Sequence, residues 1–284
     1  MIRIGFIDHY IDEWHANNYP LWIADPRHGG QCRVALAWAE TERPGGMTTA
    51  EWCEKFGVEQ ARSQEELVEK SDAIAVLSPD NPERHEALAA LALKSGKPVY
   101  VDKTFSLETD AANRMFDLAA RHGTPMYSTS ALRYAGELGW LAENGIGQRE
   151  VEFASAVGPG TFETYAIHQI EMIVAAMGPG ARRAIALGAK NAPVVHYEFD
   201  GGRSCMVNLM PWAGFSLTLQ STDGAGMARR IESDFWSGFI GALLLFFKTG
   251  KPPVPREETC AAVVMVEAGI RALRQPGQWQ TLNQ

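Results

Sequence analysis

The sequence predicts two units in one α/β chain: a doubly wound parallel sheet over the first half, and an α+β arrangement around an open, mainly antiparallel sheet over the second. Three observations predict it. Up to about residue 125, short apolar runs alternate with amphipathic stretches, the pattern of parallel strands covered by helices. From about residue 130 the apolar period drops to two, as in strands with one buried face. The chain of 284 residues, 46% hydrophobic and 21% charged, is also long enough for two cores, since a chain of ~300 residues buries roughly three quarters of its unfolded surface.

The elements follow in order. Ile2 to Ile7 is an apolar run ending at Asp8, a buried strand whose carboxyl end opens onto a site. The stretch DHYIDEWHANNYPLWI is loop, then helix. Cys32 to Ala39 is a second strand. Thr48 and Glu51 form a capping box for a helix that Gly57 ends, and Ser63 with Glu66 opens the next. Ala73 to Leu77, Pro98 to Val101 and Pro125 to Ser128 read as strands. Pro82 to Ser95 and Leu107 to His122 read as the helices between them, closed by Gly96 and Gly123. A helix through Asn144 then leads into strands at Arg149 to Val157, Ala184 to Ala189, Val194 to Phe199, Ser204 to Met210 and Ser216 to Gln220, all expected antiparallel. Helices are expected at Phe162 to Met177, Ser233 to Lys248 and Glu257 to Leu273. The boundary falls at 128/129, giving domains 1–128 and 129–284. No Gly/Ser linker marks it, so the domains are expected to pack around a cleft.

Composition excludes several function classes. Lys and Arg number 26 against 34 Asp and Glu, a net charge of −8, so a phosphate backbone would meet a repulsive mean field and no nucleic-acid partner is expected. The apolar run Phe239 to Phe247 is about half of a membrane span, so no membrane partner is expected either. Cys32, Cys53, Cys205 and Cys260 are scattered singly without CxxC spacing, and the start lacks a signal-peptide layout, which together suggest a reduced, cytoplasmic protein.

Several strings together resemble the Gfo/Idh/MocA family, relatives of glucose-fructose oxidoreductase and inositol dehydrogenase. Residues 72–106, DAIAVLSPDNPERHEALAALALKSGKPVYVDKTFS, resemble its strand, Ser-Pro turn and His-bearing helix, with Asp102-Lys103-Thr104 in place of E-K-P. Thr164 to Glu171, TYAIHQIE, resembles its D-x-x-x-H-x-x-D helix, with His168 in the histidine position, Thr164 for the first Asp and Glu171 for the last. The tail FIGALLLFFKTGKPPVPREE is also similar. The resemblance implies an N-terminal Rossmann-like domain binding NAD or NADP, a C-terminal substrate and oligomerisation domain, and a homodimer or homotetramer. The departure lies in the G-x-G-x-x-G fingerprint, whose glycines let backbone and helix N-terminus approach a diphosphate. Asp8, Tyr10 and Glu13 stand there, and Trp38 or Glu40 stands where a ribose-binding acid is expected.

These residues define the candidate site. Oxidising a carbinol requires a group that takes the hydroxyl proton and a cation that fixes the oxygen. His168 and Lys103 are assigned to these tasks, facing each other across the cleft, and Thr164 and Glu171, at i−4 and i+3, are assigned to orient the imidazole. Asp8, His9, Tyr10, Ser78, Pro79, Asn81, Asp102 and Lys103 are expected to contact the cofactor, against a simpler reading in which Asn81 or Asp80 caps a helix. Tyr10, Trp14, Tyr19 and Trp22 make an aromatic segment suited to stacking or to core. His85 is expected to pack, and no metal site is assigned. The expected function is NAD(P)-dependent hydride transfer to or from a sugar or cyclitol. The alternative is a relative that lost dinucleotide binding and serves as a sugar-binding or regulatory protein.

Overall fold

The computed structural model describes residues 1–282. In its first half β1 (Ile2–Asp8), β2 (Cys32–Ala39), β3 (Glu59–Gln60), β4 (Ala73–Val76), β5 (Val99–Val101) and β6 (Met126–Tyr127) form one sheet in the order β3-β2-β1-β4-β5-β6. Every neighbouring pair is parallel. This is the doubly wound order, and it reverses between β1 and β4, so the carboxyl ends of those two strands flank the crevice where such sheets bind ligands. The helices are α1 (Trp14–Ile23), α2 (Thr49–Phe56), α3 (Gln64–Lys70), α4 (His85–Ala89) and α5 (Thr109–Arg121).

Local chemistry explains the boundaries. Thr48 and Glu51 form the reciprocal capping box, and Gly57 ends α2 at φ 64°, a left-handed turn that suits glycine. Gly5 lies inside β1 because a Cβ there would sit 2.6 Å from Leu67 of α3, so its absence lets that helix seat on the sheet. The continuous helix expected from Pro82 to Ser95 is instead a 3-10 turn at Pro82–Arg84, the short α4, and a second turn at Ala92–Lys94. Asn81 makes no side-chain cap, contrary to the capping reading, so nothing holds the start of a regular α-helix there. Strand β3 escaped the sequence reading because both its residues are exposed and carry no apolar signal.

The second half builds a seven-stranded sheet from β7 (Val151–Gly158), β8 (Ala181–Ala189), β9 (Ala192–Phe199), β10 (Ser204–Leu209), β11 (Ser216–Ser221), β12 (Gly226–Arg230) and β13 (Gln280–Thr281). Its order is β12-β11-β7-β10-β9-β8-β13. All neighbours are antiparallel except β7 and β10, which run parallel, so the expectation of antiparallel strands throughout needs that one correction. The reason is the helix between β7 and β8. A chain leaving β7 through a helix re-enters beyond its neighbour, and the β8-β9-β10 meander brings β10 back beside β7 in the same direction.

That helix is α7 (Phe162–Met177), and α6 (Gly139–Glu143), α8 (Phe235–Thr249) and α9 (Arg256–Arg274) complete the set. The helix expected through Asn144 shrinks to α6, preceded by 3-10 turns at Ala131–Tyr134 and Gly136–Leu138. Helix α7 is buried along most of its length and packs on α9, where Gly269 leaves room for Phe162. The buried Tyr197 donates its hydroxyl to Met265 O at 2.7 Å, tying β9 to α9.

Two compact units result. One holds Met1–Ser106, Asp110–Thr129 and Ile240–Pro255; the other holds Leu107–Thr109, Ser130–Phe239 and the chain from Arg256 onward. In the first unit the ring of Phe246 meets Tyr127 edge-on with centroids 4.7 Å apart. Among the described residues no helix is long and apolar enough to cross a membrane.

Candidate functional site

In the first unit the chemistry gathers where β1, β4 and β5 end. Asp8 closes β1 fully buried, and neither carboxylate oxygen makes a well-formed hydrogen bond. Burial, then the charges of Glu13 and Asp102, push its carboxyl well above the usual range, against a weaker pull from the amides of His9 and Tyr10. Glu13 is the N-cap of α1: one carboxylate oxygen accepts from His15 N at 2.7 Å and the other from Ala16 N. Burial raises its carboxyl to about 7 even though the charge of His15 opposes the shift.

Asp102 follows β5 and is also buried, but it is well supplied with donors. Tyr100 Oη donates to it at 2.8 Å, Lys103 N at 2.8 Å, and His15 Nδ1 forms a close ion pair with its other oxygen. Burial alone would raise this carboxyl; the charge and hydrogen bond of His15 outweigh that and hold it at about 2. Tyr19 stacks on the His15 ring at 5.1 Å and 12°. Lys103 is half-buried, and its peptide to Thr104 is cis. The pairing of His15 with Asp102 across 87 residues carries no sequence signal, since neither residue's spacing indicates the other.

The remaining predicted contacts ring this cluster. Tyr10 donates to Asp80 Oδ2 at 3.1 Å beneath the guanidinium of Arg43, and burial with the charge of Asp80 raises its phenol to about 12. His9 Nδ1 lies 2.7 Å from Glu40 Oε2, and Arg84 forms a close ion pair with the same carboxylate. After β4, Ser78 takes the left-handed conformation at φ 73°, which is uncommon for a residue with a Cβ, and its hydroxyl donates to Asn81 O at 3.2 Å. Pro79 is buried beside it and Asn81 half-buried. His85 is buried with its ring nitrogens on Leu77 O and Phe105 O, a packing role as expected.

In the second unit His168 stands half-buried on α7 between the rings of Tyr165 and Phe215. Its Nδ1 is 2.6 Å from Ser130 Oγ. Thr164 bonds the Thr161 hydroxyl at 2.7 Å, and Glu171 accepts from Arg133 at 2.9 Å, whose other nitrogen pairs closely with Glu258. Ser130 and Arg133 were not singled out from the sequence, because no motif marks them between the strand expected to end at Ser128 and the helix expected through Asn144. Among the described residues no group of three or more His, Cys, Asp or Glu is placed to hold a metal ion.

Residues 35–129 match the family model described as oxidoreductase family, NAD-binding Rossmann fold. Over these residues the chain is similar to that family. Solved structures share the fold over the whole chain. A probable dehydrogenase from Thermotoga maritima is 18% identical with a TM-score of 0.76, covering 99% of each chain. The apo scyllo-inositol dehydrogenase from Lactobacillus casei is 14% identical with a TM-score of 0.79, over 99% of this chain and 98% of that one. An oxidoreductase from Agrobacterium radiobacter, solved with NAD+, L-tartaric acid and magnesium, is 12% identical with a TM-score of 0.77, over 99% and 98%. No curated protein matches the sequence.

The matched family model is described as NAD-binding, yet this chain's residues do not fit a diphosphate on α1. The amides of His15 and Ala16, which an approaching phosphate would use, are taken by the Glu13 carboxylate. Asp8 adds a second buried carboxyl without a well-formed hydrogen bond, and Glu40 is engaged by His9 and Arg84. The doubly wound sheet is thus present, while the turn between β1 and α1 is filled by acids.

Proposed function

We propose that the protein is an oxidoreductase of the NAD(P)-dependent type, acting on a carbon that bears a hydroxyl in a polyhydroxylated substrate such as a sugar or cyclitol. The observation that carries this reading is His168, held on α7 with Nδ1 against Ser130 Oγ at 2.6 Å. With Nδ1 so engaged, Nε2 takes the hydroxyl proton, and Ser130 fixes the ring and its tautomer. Lys103, just past the carboxyl end of β5, supplies a cation that binds the substrate oxygen and favours its deprotonated form. Thr164 and Glu171 shape the helix face around the histidine. In this division of labour residues 1–128 carry the nucleotide side, with Asp8, His9, Tyr10, Ser78, Pro79, Asn81 and Asp102 around it, and residues 129–284 carry the substrate and a self-association face. A homodimer or homotetramer in the cytoplasm fits the open second sheet and four cysteines that form no disulfide.

One observation favours a second reading, a sugar-binding or regulatory relative without turnover: Glu13 occupies the α1 amides. A panel of cyclitols and sugars assayed with NAD(H) and NADP(H) decides between them. The first reading expects turnover that falls by ~10²–10⁴ in Lys103→Ala and in His168→Ala, with the circular dichroism unchanged. Thermal stabilisation by a sugar without turnover favours the second, and wild-type rates in both variants refute the assignment of these residues.

A further inference from the structure

We infer that Glu13 acts as a built-in acceptor for the amides of the first helix, so that the β1–α1 turn receives no diphosphate, and any dinucleotide that binds does so without phosphate contacts at residues 8–16. This deepens the reading above, since it concerns the cofactor that reading calls for, and it is tested by binding alone. The helix N-terminus offers a small number of amides that point outward along a favourable dipole. In α1 both carboxylate oxygens of Glu13 are spent on them, one on His15 N and one on Ala16 N. The side chain is 1% exposed, so it is packed into that position rather than resting on the surface. A phosphate can reach these amides only by expelling Glu13 and reopening a buried cap.

The surroundings reinforce the exclusion. Asp8, at the end of the adjacent strand, is 0% exposed and its oxygens make no well-formed hydrogen bond. Asp102 is a third buried carboxyl, and the nearby His15 is committed to it. Three buried acids share that one imidazole, which Asp102 already engages, so the turn itself offers a dianion no uncommitted imidazolium. The phenol of Tyr10 is held on Asp80 and adds bulk where a fingerprint glycine would stand. The two features of a phosphate cradle, a backbone bare of side chains and open amide donors, are therefore both taken by side chains of this chain, and the turn is complete without a ligand.

The test compares ADP-ribose, which carries the diphosphate, with adenosine, which does not, by isothermal titration against the whole protein. In the wild type the two should bind within threefold of each other, or both below detection. In Asp8→Asn/Glu13→Ser, where serine keeps a neutral cap oxygen, ADP-ribose should bind at least tenfold more tightly than to the wild type while adenosine is unchanged. Wild-type affinity for ADP-ribose ten times that for adenosine overturns the inference, as does a folded double variant with no gain. Should the double variant not fold, Glu13→Gln alone is titrated under the same criteria. Dehydrogenase turnover is a separate readout: its absence would refute the proposed activity and leave this inference standing, and its presence would not rescue the inference if the diphosphate binds.

Discussion

Replacing Glu13 by Gln should flatten the pH dependence of stability between pH 5 and pH 8. In the folded protein burial raises this carboxyl from 4.5 to about 7. An acid whose folded-state value is raised keeps its proton longer in the folded chain than in the unfolded one. Its favourable contribution is complete below pH 4.5 and is lost as pH rises through 7. At about 1.4 kcal/mol per pH unit across that window, the loss is roughly 3 kcal/mol. Glutamine resembles the protonated acid in shape and does not titrate, so the variant lacks this loss. Its amide nitrogen faces one of the helix amides where an oxygen had accepted, a penalty of about 1 kcal/mol that is the same at every pH and cancels in the comparison. Urea denaturation of both proteins, followed by tryptophan fluorescence at pH 5, 6, 7 and 8, measures the difference. The wild type should lose roughly 3 kcal/mol relative to the variant between pH 5 and pH 8. A gap constant to within about 0.5 kcal/mol would show that Glu13 ionises in the fold as it does in water, and the reasoning from burial would fail.

Asp102→Asn breaks a buried pair and leaves His15 without its counter-charge, so urea denaturation should show a loss of about 3–5 kcal/mol, while His15→Ala/Asp102→Ala should lose less than the sum of the single changes. Gly269→Ala would place a Cβ 2.5 Å from Tyr197 Oη, close to Phe162 as well, and should lower stability by about 1–3 kcal/mol through displacement of α7 from α9. Ser130→Ala removes the hydroxyl that positions His168; in the turnover assay kcat should fall about tenfold, the worth of one hydrogen bond, with the acidic limb of its pH profile displaced and KM little changed. An unmoved pH profile would assign Ser130 a structural role only.

Much of the fold was legible because it is written in local patterns. Phe162–Met177 has the bounds expected from its apolar face, and Cys32–Ala39 those expected from its unbroken apolar run. What the chain hid was non-local or lacked contrast. Strands β3 and β12 are largely exposed, so nothing apolar announces them. The parallel pairing of β7 and β10 depends on where a meander lands, which no window of residues contains. At the site, the missing glycines pointed to the right turn, but not to its mechanism. That Glu13 would turn back onto its own helix, and that His15 would reach Asp102, follows from packing around buried carboxyls rather than from spacing.

The assignment of Ile240–Pro255 to the first unit bears on how this protein can be dissected. A fragment ending at Thr129 would retain all six strands of the parallel sheet and yet lack the piece of α8 whose Phe246 covers Tyr127. Tyr127, Phe246 and Phe247, all buried in the intact chain, would then have no common shelter on either product. The nascent chain faces the same interruption, because the first unit stays unfinished until more than one hundred further residues have emerged, and its sheet must wait for a helix made long afterwards. Isolating the parallel-sheet unit therefore requires a graft, residues 1–129 joined by a short linker to 240–255, rather than a cut.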